Sequence, residues 1–196
     1  MLANLNEVWK LADEKKIAIG AFNIVNFENI LAVLDTAEKL NMPVILAFAQ
    51  THEENNVMNL DTIGPVMVLM AQRAKVPVVV HLDHGVNLDY IEKSLKMGFT
   101  SVMFDGSAKP YEENVEEARR VVEYAHKYNV TVEAELGKLA GVEDDVKVED
   151  DKAQFTDPDE VQDFVTRTGV DSLAIAIGTS HGAYKFKPGQ KPKLRL

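Results

Sequence analysis

Short apolar runs alternate with stretches whose apolar residues recur every three to four positions, and this alternation continues along most of the chain. Ile17 to Phe22 (IAIGAF), Pro43 to Phe48 (PVILAF), Val76 to Leu82 (VPVVVHL), Ser101 to Phe104 (SVMF), Val130 to Leu136 (VTVEAEL) and Ser172 to Ile177 (SLAIAI) predict strands. A buried parallel strand reads as a brief continuous run of Val, Ile and Leu. Helical patterns lie between the runs. Asn26 is placed to cap a helix whose face carries Ile30, Val33, Leu34, Ala37 and Leu40. Leu60 to Ala74 and Tyr90 to Met97 predict the next two helices. Tyr111 to Tyr128 is longer, with glutamates early and Arg, His and Lys late, the order that suits a helix dipole. Asp157-Pro158-Asp159-Glu160 combines a cap, a proline at the first helical position and an acid at the third. A short helix from Leu5 to Lys15 precedes the first strand.

Strict β-α alternation implies a parallel sheet with right-handed crossovers, either doubly wound or closed as a (β/α)8 barrel. The dinucleotide fingerprint Gly-x-Gly-x-x-Gly is missing after the first strand, where Gly20-Ala21-Phe22-Asn23 stands. Barrels gather their polar groups at strand ends. Here Asn23, the pair Gln50 and His52, the pair Asp83 and His84, then Asp105, Glu135 and His181 each end or follow a predicted strand. The expectation is an α/β (β/α)8 barrel with about six of its β-α units present, one domain over residues 1–196 that lacks strands seven and eight. The segment Gly137 to Asp151 is irregular and acidic, with Glu143-Asp144-Asp145 and Glu149-Asp150-Asp151. It reads as a solvated loop or as an active-site lid carrying a catalytic acid.

Composition narrows the function classes. At 46% hydrophobic and 27% charged, the 196 residues are ordinary globular material. A formal net charge of −10 with no Lys/Arg block argues against a nucleic-acid surface. The apolar stretches are too short to span a bilayer, and Met1 to Glu7 lacks the basic start and apolar core of a secretory signal. The absence of cysteine removes disulfides and thiolate chemistry, fits a cytoplasmic protein, and leaves His, Asp and Glu as metal ligands.

The densest chemistry is Val78-Val79-Val80-His81-Leu82-Asp83-His84-Gly85, a β-branched run that stops in two imidazoles and a carboxylate. His84 and His181 each close a strand end and each precede glycine, which makes them a natural ligand pair for a divalent cation. Glycine at those places lets backbone approach a bound anion. Glu133 and Glu135 share one face of a strand by its period of two. Plain alternatives stand beside each reading. A lone strand-end histidine is commonly a satisfied polar group, His126 reads as a helix C-terminal cation, His52 as a loop residue and Asp105-Gly106 as a turn. Asp83 and His84 are adjacent, so their side chains are free to diverge.

In order along the chain, GAFNIVN (20–26), HLDHG (81–85), SVMFDGS (101–107), VEAELG (132–137), GVEDD (141–145) and AIGTSHGAYK (176–185) resemble the motifs of class II, zinc-dependent ketose-bisphosphate aldolases. The group contains fructose-1,6- and tagatose-1,6-bisphosphate aldolases. The resemblance covers essentially the whole chain and implies a (β/α)8 barrel that forms homodimers or tetramers. It implies reversible cleavage of a ketose bisphosphate to glycerone phosphate and glyceraldehyde 3-phosphate, with Zn2+ polarising the ketose carbonyl. By resemblance, His84 and His181 are zinc ligands, and Glu135 and Asp105 are acids that serve an alternate or second cation. Asp83 exchanges a proton with the C4 hydroxyl, and Glu143 moves the proton at the enediolate carbon. Asn23 holds the enediolate, and Gly182 contributes to phosphate and monovalent-cation binding. The family's third zinc histidine belongs to a His-Gly-Gly-Ser-Gly-like segment that the 196 residues do not contain, and Ala49 stands where a phosphate-binding serine is common. A second reading is a non-catalytic sugar-phosphate or metal-binding protein on a shortened barrel.

Overall fold

β1 (Ala21–Asn23), β2 (Val44–Ala49), β3 (Val78–Gly85), β4 (Ser101–Phe104), β5 (Thr131–Leu136) and β8 (Ser172–Ile175) form one sheet, each pairing in parallel with the next. The computed structural model describes residues 1–137, 140–143, 146–148, 155–181 and 194, with side chains for 1–137, 155–179 and 194. The strand order follows the chain without reversal. A doubly wound sheet reverses at a switch point, whereas barrel strands advance in sequence, so the six strands are successive staves of a (β/α)8 barrel.

The connecting helices are α2 (Phe27–Leu40), α3 (Gln50–Glu54), α4 (Leu60–Arg73), α5 (Leu88–Met97), α6 (Tyr111–Ala125) and α7 (Pro158–Thr168). Their starts follow from local chemistry. Asn26, Asn59, Asn87 and Asp157 each accept a backbone N–H of the first turn, and Asn41, Gly98 and Gly169 close helices in the left-handed conformation. The strand period of two separates the faces. Leu46, Phe48, Val78, Val80, Leu82, Val102, Phe104, Val132 and Ala134 pack against helix residues such as Ile30, Leu34, Met67, Ile91 and Ala118, all buried. The alternate positions line the inside.

α1 (Leu5–Lys15) begins in a capping box between Asn4 and Glu7, and its buried Leu5 and Val8 pack on Val79 inside the sheet. It thereby closes the end of the inner face opposite the strand C-termini. No helix among the described residues is long and apolar enough to cross a membrane.

Some boundaries differ from the sequence pattern, and so does the reading of one segment. The first strand begins at Ala21 rather than Ile17, because Ile17 N–H returns to Ala12 O to close α1. The last stave ends at Ile175 rather than Ile177. The acidic segment is not featureless: β6 (Ala140–Glu143) and β7 (Val146–Val148) pair antiparallel, and β6 also pairs in parallel with β9 (Ser180–His181).

Candidate metal and active centre

The end of β3 is irregular, and the irregularity shapes the site. β3 pairs with β4 at His81↔Ser101 and Leu82↔Val102, but the next pair is Gly85↔Phe104, so one extra residue is inserted on β3. His84 takes it up with φ of 46°. That conformation costs a non-glycine residue about 1–2 kcal/mol and re-aims side chains at the strand end. Gly85 follows because any Cβ there would lie 2.7 Å from Met103 O and 2.9 Å from Ile91 Cγ1.

The insertion brings both neighbours to the C-terminal mouth of the staves, on opposite sides. Asp83 turns toward β1, where Asn23 Nδ2 donates to its Oδ2 at 3.2 Å. His84 turns toward β4 and β5. Its Nδ1 lies 3.0 Å from Asp105 Oδ2 and 4.0 Å from Glu135 Oε2. An ionised carboxylate only accepts, so in this contact Nδ1 is the donor. Asp105 is fixed in turn by Ser107 N–H, which donates to Oδ1 at 3.0 Å. Burial alone would raise the Asp105 carboxyl, but the hydrogen bonds from His84 and Ser107 outweigh it and hold it below the usual aspartate value.

His84, Asp105 and Glu135 offer ligand atoms that all lie within 4.8 Å of one another. Their side chains are 18%, 19% and 15% exposed. One imidazole and two carboxylates, half-buried and converging at strand ends, are a donor set that suits a borderline divalent cation. The fit is to the donor chemistry and to the enclosure.

Below the mouth the inner face carries a polar layer that the sequence reading did not assign. His81 is 6% exposed and its Nδ1 lies 2.7 Å from Ser101 Oγ. Burial pushes its pKa down to about 4, with Asp83 opposing and His84 adding to the fall. At neutral pH His81 is therefore uncharged, and its 3.9 Å approach to Glu133 is not an ion pair. Glu133 is pushed up to about 7, first by burial, then by the charge of Asp83, against a smaller opposing effect of His84. Asn23, Ala47, His81, Asp83 and Glu133 line a cavity of roughly 180 Å³ that leads to the mouth. The signal was present in Glu133-Ala134-Glu135, whose two carboxylates do share the inner face.

Asn23, Asp83, His84, Asp105 and Glu135 are thus brought to one mouth. The side chains of Glu143 and His181 lie outside the described residues, as does Gly182. The His181 backbone pairs with Gly141, which sets it beside the acidic segment. His52 stays out of the mouth: it meets Phe48 edge-on at 5.5 Å. His126 follows α6 and bonds Asp171 at 2.9 Å. Gln50, singled out only as following a strand, is buried, and its Oε1 accepts from Val86 N–H.

A model of the family described as fructose-bisphosphate aldolase class-II matches residues 3–196. A fructose-bisphosphate aldolase of Thermus caldophilus is 48% identical over 187 residues, covering 95% of this chain and 60% of its own length. The D-tagatose-1,6-bisphosphate aldolase subunit GatY of Klebsiella oxytoca is 44% identical over 174 residues, covering 87% of this chain and 60% of its own length. Among solved structures, the YdjI aldolase of Escherichia coli K12 superposes with a TM-score of 0.83 at 37% identity, covering 100% of this chain and 66% of that one. The chain spans about three fifths of the length of the curated relatives it matches.

Proposed function

This chain belongs to the class-II fructose-bisphosphate aldolase family, and we propose that it carries the acid/base and most of the metal machinery for retro-aldol cleavage of a ketose 1,6-bisphosphate. The substrate class is fructose or tagatose bisphosphate, as in the names of the relatives, and the products are glycerone phosphate and glyceraldehyde 3-phosphate. The observation that carries the reading is the convergence of Asp83 beside the His84–Asp105–Glu135 cluster at the strand C-termini.

His84, with Asp105 and Glu135 at hand and His181 as a further ligand, would hold a divalent cation, with Zn2+ the proposed ion. When bound there the cation supplies a Lewis acid for the ketose carbonyl. Asp83 takes the proton from the C4 hydroxyl, the C3–C4 bond breaks, C4 leaves as an aldehyde, and the electron pair passes to the C2–C3 unit as an enediolate. Asn23 donates to Asp83, and in this reading its amide also holds an enediolate oxygen. Glu143 then delivers a proton to C3, which gives glycerone phosphate. The reverse direction uses the same groups with the proton transfers exchanged. Gly182 is assigned to phosphate and monovalent-cation binding, and a homodimer or tetramer in the cytoplasm is the proposed assembly and setting. The single unit over 1–196 forms the larger part of one barrel domain in this reading.

The test is cleavage of fructose and tagatose bisphosphates by the purified protein, followed through aldehyde release with and without a chelator. Cleavage that stops with the chelator and returns with Zn2+ supports the reading. A zinc-loaded protein inert on both sugars favours the binding-protein alternative.

A further inference from the structure

The side chain of Gln50 is only 6% exposed, and both ends of its amide are bonded. Oε1 accepts from Val86 N–H at 3.1 Å, and Nε2 donates to Glu54 Oε1 at 2.7 Å. Val86 lies two residues beyond His84. The stretch between them is held from the other side as well. Asp105 N–H donates to Gly85 O at 3.1 Å, and Gly85 has no room for a side chain against Met103 O, Ile91 and Leu82. A residue such as His84 stays in the left-handed region only where its surroundings over-determine it.

The helix that carries Gln50 is itself anchored. Glu53 Oε2 accepts from Leu60 N–H at 3.0 Å and from Tyr90 Oη–H at 2.7 Å, and Oε1 accepts from Asn59 Nδ2 at 2.9 Å. One carboxylate therefore ties α3 to the start of α4 and to α5. Gln50 transmits that fixed position to the strand end. An amide suits the place because one end must accept from a backbone N–H while the other donates to a carboxylate.

We propose that Gln50 is a positioning residue for His84: its amide clamps Val86 N–H to α3 and so holds His84 in the conformation that presents its imidazole to Asp105 and Glu135. The inference rests on the reading of His84 as a metal ligand. Groups outside the ligand set that orient a ligating histidine typically change metal affinity by about 10–100-fold when removed.

The experiment titrates Co2+ into the protein and reads affinity and the visible ligand-field spectrum, with circular dichroism as the check on folding. Gln50→Leu keeps the volume and removes both hydrogen bonds. Gln50→Glu combined with Glu54→Gln exchanges donor and acceptor between the two side chains while keeping an oxygen on Val86 N–H. The Leu variant should bind Co2+ about 10–100-fold more weakly, with an altered spectrum, and the double variant should return both to the unsubstituted values. Val86 N–H should exchange slowly with solvent in the unsubstituted protein, although Val86 is 52% exposed. A folded Leu variant with unchanged affinity and spectrum overturns the proposal. Unprotected exchange at Val86 overturns it too, and decides the matter if the Leu variant does not fold. Equal Co2+ binding by His84→Ala instead overturns the reading of His84 as a ligand, and it is distinguishable because Gln50 is untouched.

Discussion

Asp83 and His84 leave adjacent backbone positions for opposite sides of one mouth: Asp83 Oδ2 accepts from Asn23 on β1, and His84 Nδ1 meets Asp105 just past β4. A regular strand would send one of the two to the helix-covered face. The inserted residue and the left-handed His84 keep both at the strand C-termini, with the Asp83 carboxylate beside the His84–Asp105–Glu135 cluster. The separation of roles gives a direct expectation. Asp83→Ala should lower turnover by about 10²–10⁴-fold while metal affinity holds within a few-fold. Steady-state kinetics with metal analysis of the same samples checks this, and joint loss of metal would make Asp83 a ligand.

Asp105 orients the His84 ring and also borders the cluster. Asp105→Ala should weaken Zn2+ binding by about 10–100-fold. Competition against a chromophoric chelator measures the change. Unchanged affinity would reduce Asp105 to a turn residue.

Glu133 gives a pH signature for the metal-free protein. Its folded pKa, about 7, lies above the ordinary glutamate value. Its contribution to stability is full below the ordinary value and is lost as pH rises through about 7. Glu133→Gln should therefore raise the melting temperature at pH 8 relative to pH 5, by an amount on the order of 2–3 kcal/mol in stability. Melting curves across pH 4–9 check it, and parallel curves for the two proteins would contradict it.

Asp171 works in the opposite sense. Its Oδ2 accepts from Val132 N–H at 2.8 Å and from His126 Nε2 at 2.9 Å, and its Oδ1 accepts from Asn6 Nδ2 at 2.8 Å. Burial would raise it, but these bonds hold it below the usual aspartate value. Its contribution is present above that usual value and lost as pH falls through the depressed one. Asp171→Ala should cost about 1–3 kcal/mol at neutral pH, chiefly because Val132 N–H loses its partner. The cost should shrink toward pH 3 in denaturant titrations.

The order of staves was legible because each apolar run is short, continuous and bounded by capping or turn residues, as at Asn26, Asn87 and Asp157. Ile17 to Gly20 misled because apolar composition cannot distinguish a strand from a segment that closes a helix, and Ile17 N–H is spent on Ala12 O. The mouth residues were legible as strand-end polar groups. How Asp83 and His84 share it was not, because a non-glycine residue gives no sequence sign of a left-handed turn. The clamp at Gln50 was hidden for another reason: its partner is a backbone N–H 36 positions away. The β6–β7 pairing was masked by acidic composition, which reads as loop.

Exchange of the glycerone phosphate C3 proton with deuterated solvent, followed by NMR, isolates the enediolate chemistry from C–C cleavage. With Asp83 acting only at the C4 hydroxyl, Asp83→Ala should retain exchange while losing cleavage, and a chelator should abolish both until Zn2+ is restored. Exchange that survives the chelator, or that disappears together with cleavage in the metal-loaded Asp83→Ala protein, would contradict a metal centre at His84 with Asp83 as its separate acid/base.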